Sequence, residues 1–223
     1  MEKPALPPDN KLFKEMKPPS ASKMKEFLAV CLKLLLGICL LPAVYASSAC
    51  FGQQLYNLEG NVIKAFVWGI VAFVGFYFFV WEPAPVFKRG FRILEIVFQF
   101  FSPLVKFAPY ALPIYTILIF LAFFILSPFM NLREYLDAII FLAGFTFALH
   151  VVYCAKTMRT GKEAGKLKSG YIFGFSVIYI LDMILMAFFF NLAFEKFSFL
   201  NFFNSAYHIT KNIYIIVFRQ LFL

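Results

Sequence analysis

Five apolar runs, each close to twenty residues, constrain this chain more than any other feature: about 27–49, 62–81, 109–130, 137–155 and 171–194. A helix rises about 1.5 Å per residue, so about 20 apolar residues match the ~30 Å hydrocarbon core of a bilayer. No other regular element crosses a membrane as a single segment, because each backbone N–H and C=O must find its partner within that segment. Composition leaves no competing class. Hydrophobic residues make up 62% of the 223, with 33 Phe, and only 15% are charged. Soluble domains are roughly 45–50% apolar and about a quarter charged. The expected fold is therefore an all-α, polytopic membrane helical bundle of about five spans. Residues 26–196 form its membrane domain.

The ends read differently. Residues 1–25 (MEKPALPPDNKLFKEMKPPSASKMK) are rich in Pro and Lys and lack apolar periodicity, as in a flexible basic tail near anionic lipid. Residues 197–223 form an amphipathic segment with Asn201, Asn204, His208 and Lys211 on one face, expected on the outer interface. A second amphipathic stretch, 87–102, has Lys88, Arg92, Glu95, Gln99 and Ser102 at spacings of 4, 3, 4 and 3. That stripe suits a helix lying in the cytoplasmic interface.

A formal charge of +9 would suit a nucleic-acid binder, but its distribution argues for a membrane. Fifteen Lys and Arg fall in the tail and in the second and fourth loops, against four in the alternate segments. The positive-inside rule then puts the N-terminus in the cytoplasm and, after five spans, the C-terminus outside. A bacterial inner membrane is the expected location. The stretch from Met24 to Ser48 also reads as a signal peptide with a cleavage site near Ala46, but the long preceding tail and Lys33 within the apolar run count against it. The cysteines, Cys31, Cys39, Cys50 and Cys154, form neither a CxxC pair nor a disulfide framework.

Ionisable residues inside spans are costly and raise a functional hypothesis by default. Lys33 lies about six residues into its run, where its stem can snorkel to the interface. His150 reads as similarly shallow, a neutral imidazole bonded to a neighbouring helix. Asp182, in SVIYILDMILMAF, lies near mid-membrane and should face the bundle, protonated or paired, as structural glue or as a relay. Small residues four apart, at Ala65/Gly69, Gly144/Ala148 and Gly170/Gly174, predict close helix contacts.

The stretch KFAPYALPIYT, residues 106–116, opens the third run with two prolines. Pro109 suits a first helical turn, where its missing N–H has no partner in any case. Pro113 deprives the carbonyl of Pro109 of its donor and should kink the helix or delay its start. With Tyr110 and Tyr115, these residues resemble the LAPY-x-x-P-x-YT segment of bacterial membrane proteins related to the site-2-protease class of zinc metallopeptidases. LLLGICLLPAVYA and FFVWEPAP before it, and FLAGFTFALHVVYCAKTMRTGKEAGKLKSGYIFGFSVI after it, extend the resemblance over roughly residues 32–194.

That resemblance implies a zinc-binding HExxH helix after the second span. The chain has only two histidines, His150 and His208, and the corresponding helix reads Leu94-Glu95-Ile96-Val97-Phe98, with Leu94 and Phe98 where histidines would stand. The expectation is a non-catalytic pseudo-protease that binds a protein partner or lipid in the membrane, not an enzyme, with no cofactor. The alternative is a small transporter or channel component using Asp182 and His150. The expected partners are the lipid bilayer and either another membrane protein or further copies of the chain, not nucleic acid. A catalytic zinc needs about three protein ligands, and Glu95 alone holds none against water. Protein purified without chelator should therefore carry no stoichiometric zinc, and Glu95→Gln should leave its cellular role unchanged. One equivalent of tightly bound metal, or a cleavage activity lost in that variant, would overturn the pseudo-protease reading.

Overall fold

The computed structural model describes residues 21–58, 61–79, 112–129, 132–160 and 170–222, and every regular element among them is helical. In chain order these are α1 (Ala21–Tyr56), α2 (Val62–Phe79), α3 (Ile114–Leu126), a 3-10 turn (Leu132–Tyr135), α4 (Leu136–Thr160), α5 (Tyr171–Ala193) and α6 (Phe199–Phe222). The all-α membrane bundle expected from the apolar runs is the fold that forms. Four helices, α1, α2, α4 and α5, are long and apolar enough to cross a bilayer. Residues 1–20, the stretch 87–102 expected to lie in the interface, and the residues Leu94, Glu95, Phe98, Pro109 and Tyr110 lie outside the described residues.

α1 has 36 residues, about 54 Å of helix, and so outruns the hydrocarbon at its ends. It absorbs residues 21–25, which were expected to belong to the tail. It also runs unbroken through Ala46, which is fully buried where a signal-peptide reading would put a cleavage point. α3 departs most from its apolar run. It has 13 residues, about 20 Å, too short to span, where the run suggested 109–130. Proline sets the start: Pro113 sits at the N-cap with ψ 77°, and its carbonyl accepts the first helical bond from the N–H of Ile117 at 2.9 Å. Pro128, just past the C-cap Ser127, fits the other end, since proline cannot continue a helix.

Two groups of helices result. α2 and α3 pack chiefly on α4, whereas α5 and α6 pack on α1; α4 and α5 meet more sparsely along the seam between the groups. Lipid is as apolar as leucine, so helices gain little from burying apolar surface against one another, and close approach must supply the contact energy. Gly69 of α2 and Gly144 of α4 allow it. A methyl at Gly69 would overlap the carbonyl oxygen of Phe141, and one at Gly144 would overlap that of Phe66. At one end of the bundle Phe51 makes edge-to-face contacts with Phe66, Phe190, Phe197 and Phe202, with ring centroids 5.3–6.5 Å apart. That cluster joins α1, α2, α5 and α6. Cys50 lies inside this core.

α6 does not lie across the end of the bundle as its amphipathic pattern suggested. It runs antiparallel along α1. Gln54 and Ser198 exchange two hydrogen bonds, each 3.0 Å, and fifteen residues back along α1 the Tyr214 hydroxyl donates to the carbonyl of Cys39. The C-terminal end of α6 thus returns towards the N-terminal end of α1.

Gly75, on the same helix as Gly69, has open space where a Cβ would go. Gly75→Ala should therefore raise the stability of the purified protein slightly, by the ~0.5–1 kcal/mol that alanine gains over glycine in a helix. Gly69→Ala should lower it by about 1–3 kcal/mol through overpacking. Equal effects at the two positions would refute the α2–α4 contact.

Candidate functional site: a buried His–Asp pair between two spanning helices

The sparse seam between α4 and α5 carries the polar chemistry. Asp182 on α5 is 1% exposed and His150 on α4 is 2% exposed. Nε2 of His150 stands 3.4 Å from Oδ2 of Asp182. Among the described residues, neither carboxylate oxygen has a partner that meets full hydrogen-bond geometry. The pair is thus at ion-pair distance. A carboxylate this deep is stable only if it is protonated or faces a cation, and an imidazole that takes up a proton supplies one.

α4 extends the site into a line. Thr146, His150 and Cys154 follow one another at four-residue intervals, about 6 Å apart along one face. The sulfur of Cys154 lies 3.5 Å from Nε2 of His150, the nitrogen that also faces Asp182. Thr146 donates to the carbonyl of Leu142 at 2.9 Å and so is left to accept from the hydroxyl of Thr116, 3.0 Å away on α3. Thr116 is fully buried. It is the last residue of KFAPYALPIYT, so the helix start set by Pro113 delivers a hydroxyl one turn from His150. On the other side, the ring of Phe147 meets the edge of Tyr179, each a turn before its member of the pair. Ser48 of α1 donates to the carbonyl of Val44 at 2.8 Å, leaving the Tyr179 hydroxyl to donate to it at 2.9 Å.

Two of the three ionisable residues singled out in the sequence therefore share a site. His150 is not shallow: the apolar run ends near 155, but α4 continues to Thr160 and puts His150 level with Asp182. Lys33 stands apart. Its stem packs over Gly170 at the start of α5, twelve residues before Asp182 and about 18 Å along the axis. Tyr115 is half-buried against the packing of α2 on α4. The reading of the sequence missed Thr116, Thr146 and Cys154; the spacing T-x3-H-x3-C on one helix face was the available signal.

Among the described residues, no group of three or more His, Cys, Asp and Glu side chains is arranged to hold a metal. Fold and pair together define a polytopic α-helical membrane protein with an ionisable pair in its interior. Compared with protein-family models, curated proteins and solved structures, the chain matches none.

Removing one partner of a buried polar pair costs more than removing both. His150→Leu should lower stability in lipid by about 1–3 kcal/mol, and adding Asp182→Leu should recover part of the loss. Additive losses in that double-variant cycle would show that the two side chains do not interact.

Proposed function

We propose that the protein is a small transport or channel component in which His150 and Asp182 take up and release a proton or small cation within the membrane. One observation carries this reading: a carboxylate sealed from solvent between two spanning helices, at 3.4 Å from the imidazole on the facing helix. At 3.4 Å a small shift brings imidazole and carboxyl into the hydrogen-bond contact along which a proton passes. Its position supports the same reading, because it lies where two groups of helices meet and where a small relative shift would change its access. The line Thr116–Thr146–His150–Cys154 leads hydroxyl, imidazole and thiol groups from α3 along α4 to that seam.

The charge asymmetry of the loops supports a cytoplasmic N-terminus in a bacterial inner membrane. With α6 antiparallel to α1, the C-terminus belongs to the same side. A second reading, a degenerate site-2-protease-like protein that binds a partner, rests on APYALPIYT and its flanks alone.

In proteoliposomes with an imposed pH gradient, followed by a dye in the lumen, the wild-type protein should dissipate the gradient faster than empty vesicles. Asp182→Asn should fold and insert yet abolish that flux. Undiminished flux in the variant, or none in the wild type with any of the common monovalent cations as counter-ion, would contradict the proposal.

A further inference from the structure

The outward face of α6 poses a problem that one protomer does not solve. Phe202 is buried against the bundle, with Ala206, Ile209 and Ile213 half-buried on the same side. The opposite side carries Asn201, Asn204, His208 and Lys211, all exposed, at spacings of 3, 4 and 3. The same row continues at spacings of 4, 3 and 4 through Ile215, Phe218 and Phe222, which are 40–70% exposed. The Gln54–Ser198 bonds at one end and the Tyr214–Cys39 bond further along fix the rotation of the helix, so this row cannot turn inward. Because α6 runs lengthwise beside a spanning helix, the row stands at the height of the hydrocarbon. Amides, an imidazole and an ammonium left against acyl chains are costly, and such groups face protein or water in membrane proteins.

We infer that this row is the interface between copies of the chain, α6 against α6 about a two-fold axis along the membrane normal. Three features select a second copy over an unrelated helix. The 3-and-4 spacing, sustained over three heptads, is the seam of two helices that wind about each other. Asparagine amides are self-complementary, each offering donor and acceptor to its symmetry mate, and interhelical amide bonds hold membrane helices together. The row has no acidic residue, so it does not carry the charge pairs that would specify a different helix. A two-fold axis also covers both rows at once and leaves none exposed. At the Lys211 layer two ammonium groups approach each other, and their long stems let the heads separate along the seam towards water. The interface uses neither His150 nor Asp182, so it stands or falls independently of the flux proposal.

Cysteine cross-linking of the full chain in membranes tests it. The wild-type protein, with its own exposed Cys31 and Cys39, sets the baseline. Asn204→Cys and Ile215→Cys should form covalent dimers on mild oxidation well above that baseline, and Val71→Cys on the lipid-facing side of α2 should not. Adding Asn201→Leu and Asn204→Leu to the Ile215→Cys chain should weaken dimerisation roughly tenfold, the worth of two interhelical hydrogen bonds in a bilayer. Seam cysteines that stay at baseline, with monomers by light scattering, would overturn the inference. So would cross-linking undiminished by the leucines, or seam cysteines that link only to a different protein.

Discussion

The arrangement depends on one contact between backbones, the crossing of α2 and α4 at Gly69 and Gly144. In water, burial of apolar surface would press these helices together whatever their side chains; in lipid that force is absent. Without side chains at the crossing, each helix approaches the carbonyl groups of the other, and dispersion over a long contact replaces the hydrophobic effect. α4 is thereby fixed, and α4 carries Thr146, His150 and Cys154. α3 needs only a short helix because α4 is already in place for Thr116 to meet. The polar line inherits its position from two glycines that take no part in its chemistry.

Across the seam, α5 is held chiefly on α1. Its partner α1 runs parallel to it, with Gly37 beside Phe173 near one end and Phe51 against Phe190 near the other. The Ser48–Tyr179 bond pins α5 one turn from Asp182. Asp182 is thus presented to α4 by a helix anchored mainly elsewhere, and the two groups touch through a buried carboxylate, an imidazole and an aromatic edge. A rigid structural role would be served better by a glycine crossing of the kind that joins α2 to α4. The contrast between a seam packed backbone to backbone and a seam joined through titratable side chains is the physical basis of the transport reading.

Much of this was legible in the sequence. The spans follow from apolar length, the delayed start of α3 from Pro113, and the close crossing from Gly69 and Gly144 at helical spacing. Asp182 and His150 were each conspicuous as ionisable groups in apolar runs. Their pairing was not legible, because the apolar run ends near 155 and makes His150 look shallow, while the helix continues through Ala155–Thr160. The posture of α6 was hidden for a related reason. Amphipathicity records that one face is polar, but not whether that face meets headgroups, water or another protein. Only the Gln54 and Tyr214 contacts, more than 140 residues apart in sequence from their partners, decide it.

Infrared titration of the lipid-embedded protein tests the central claim most directly. If His150 and Asp182 exchange a proton, the spectrum contains a protonated-carboxyl band that is absent from Asp182→Asn, changes intensity with bulk pH, and shifts when His150 is replaced by Gln. A band unchanged from acid to alkaline pH and indifferent to His150→Gln would show a carboxyl group locked in one state, and the pair would be structural.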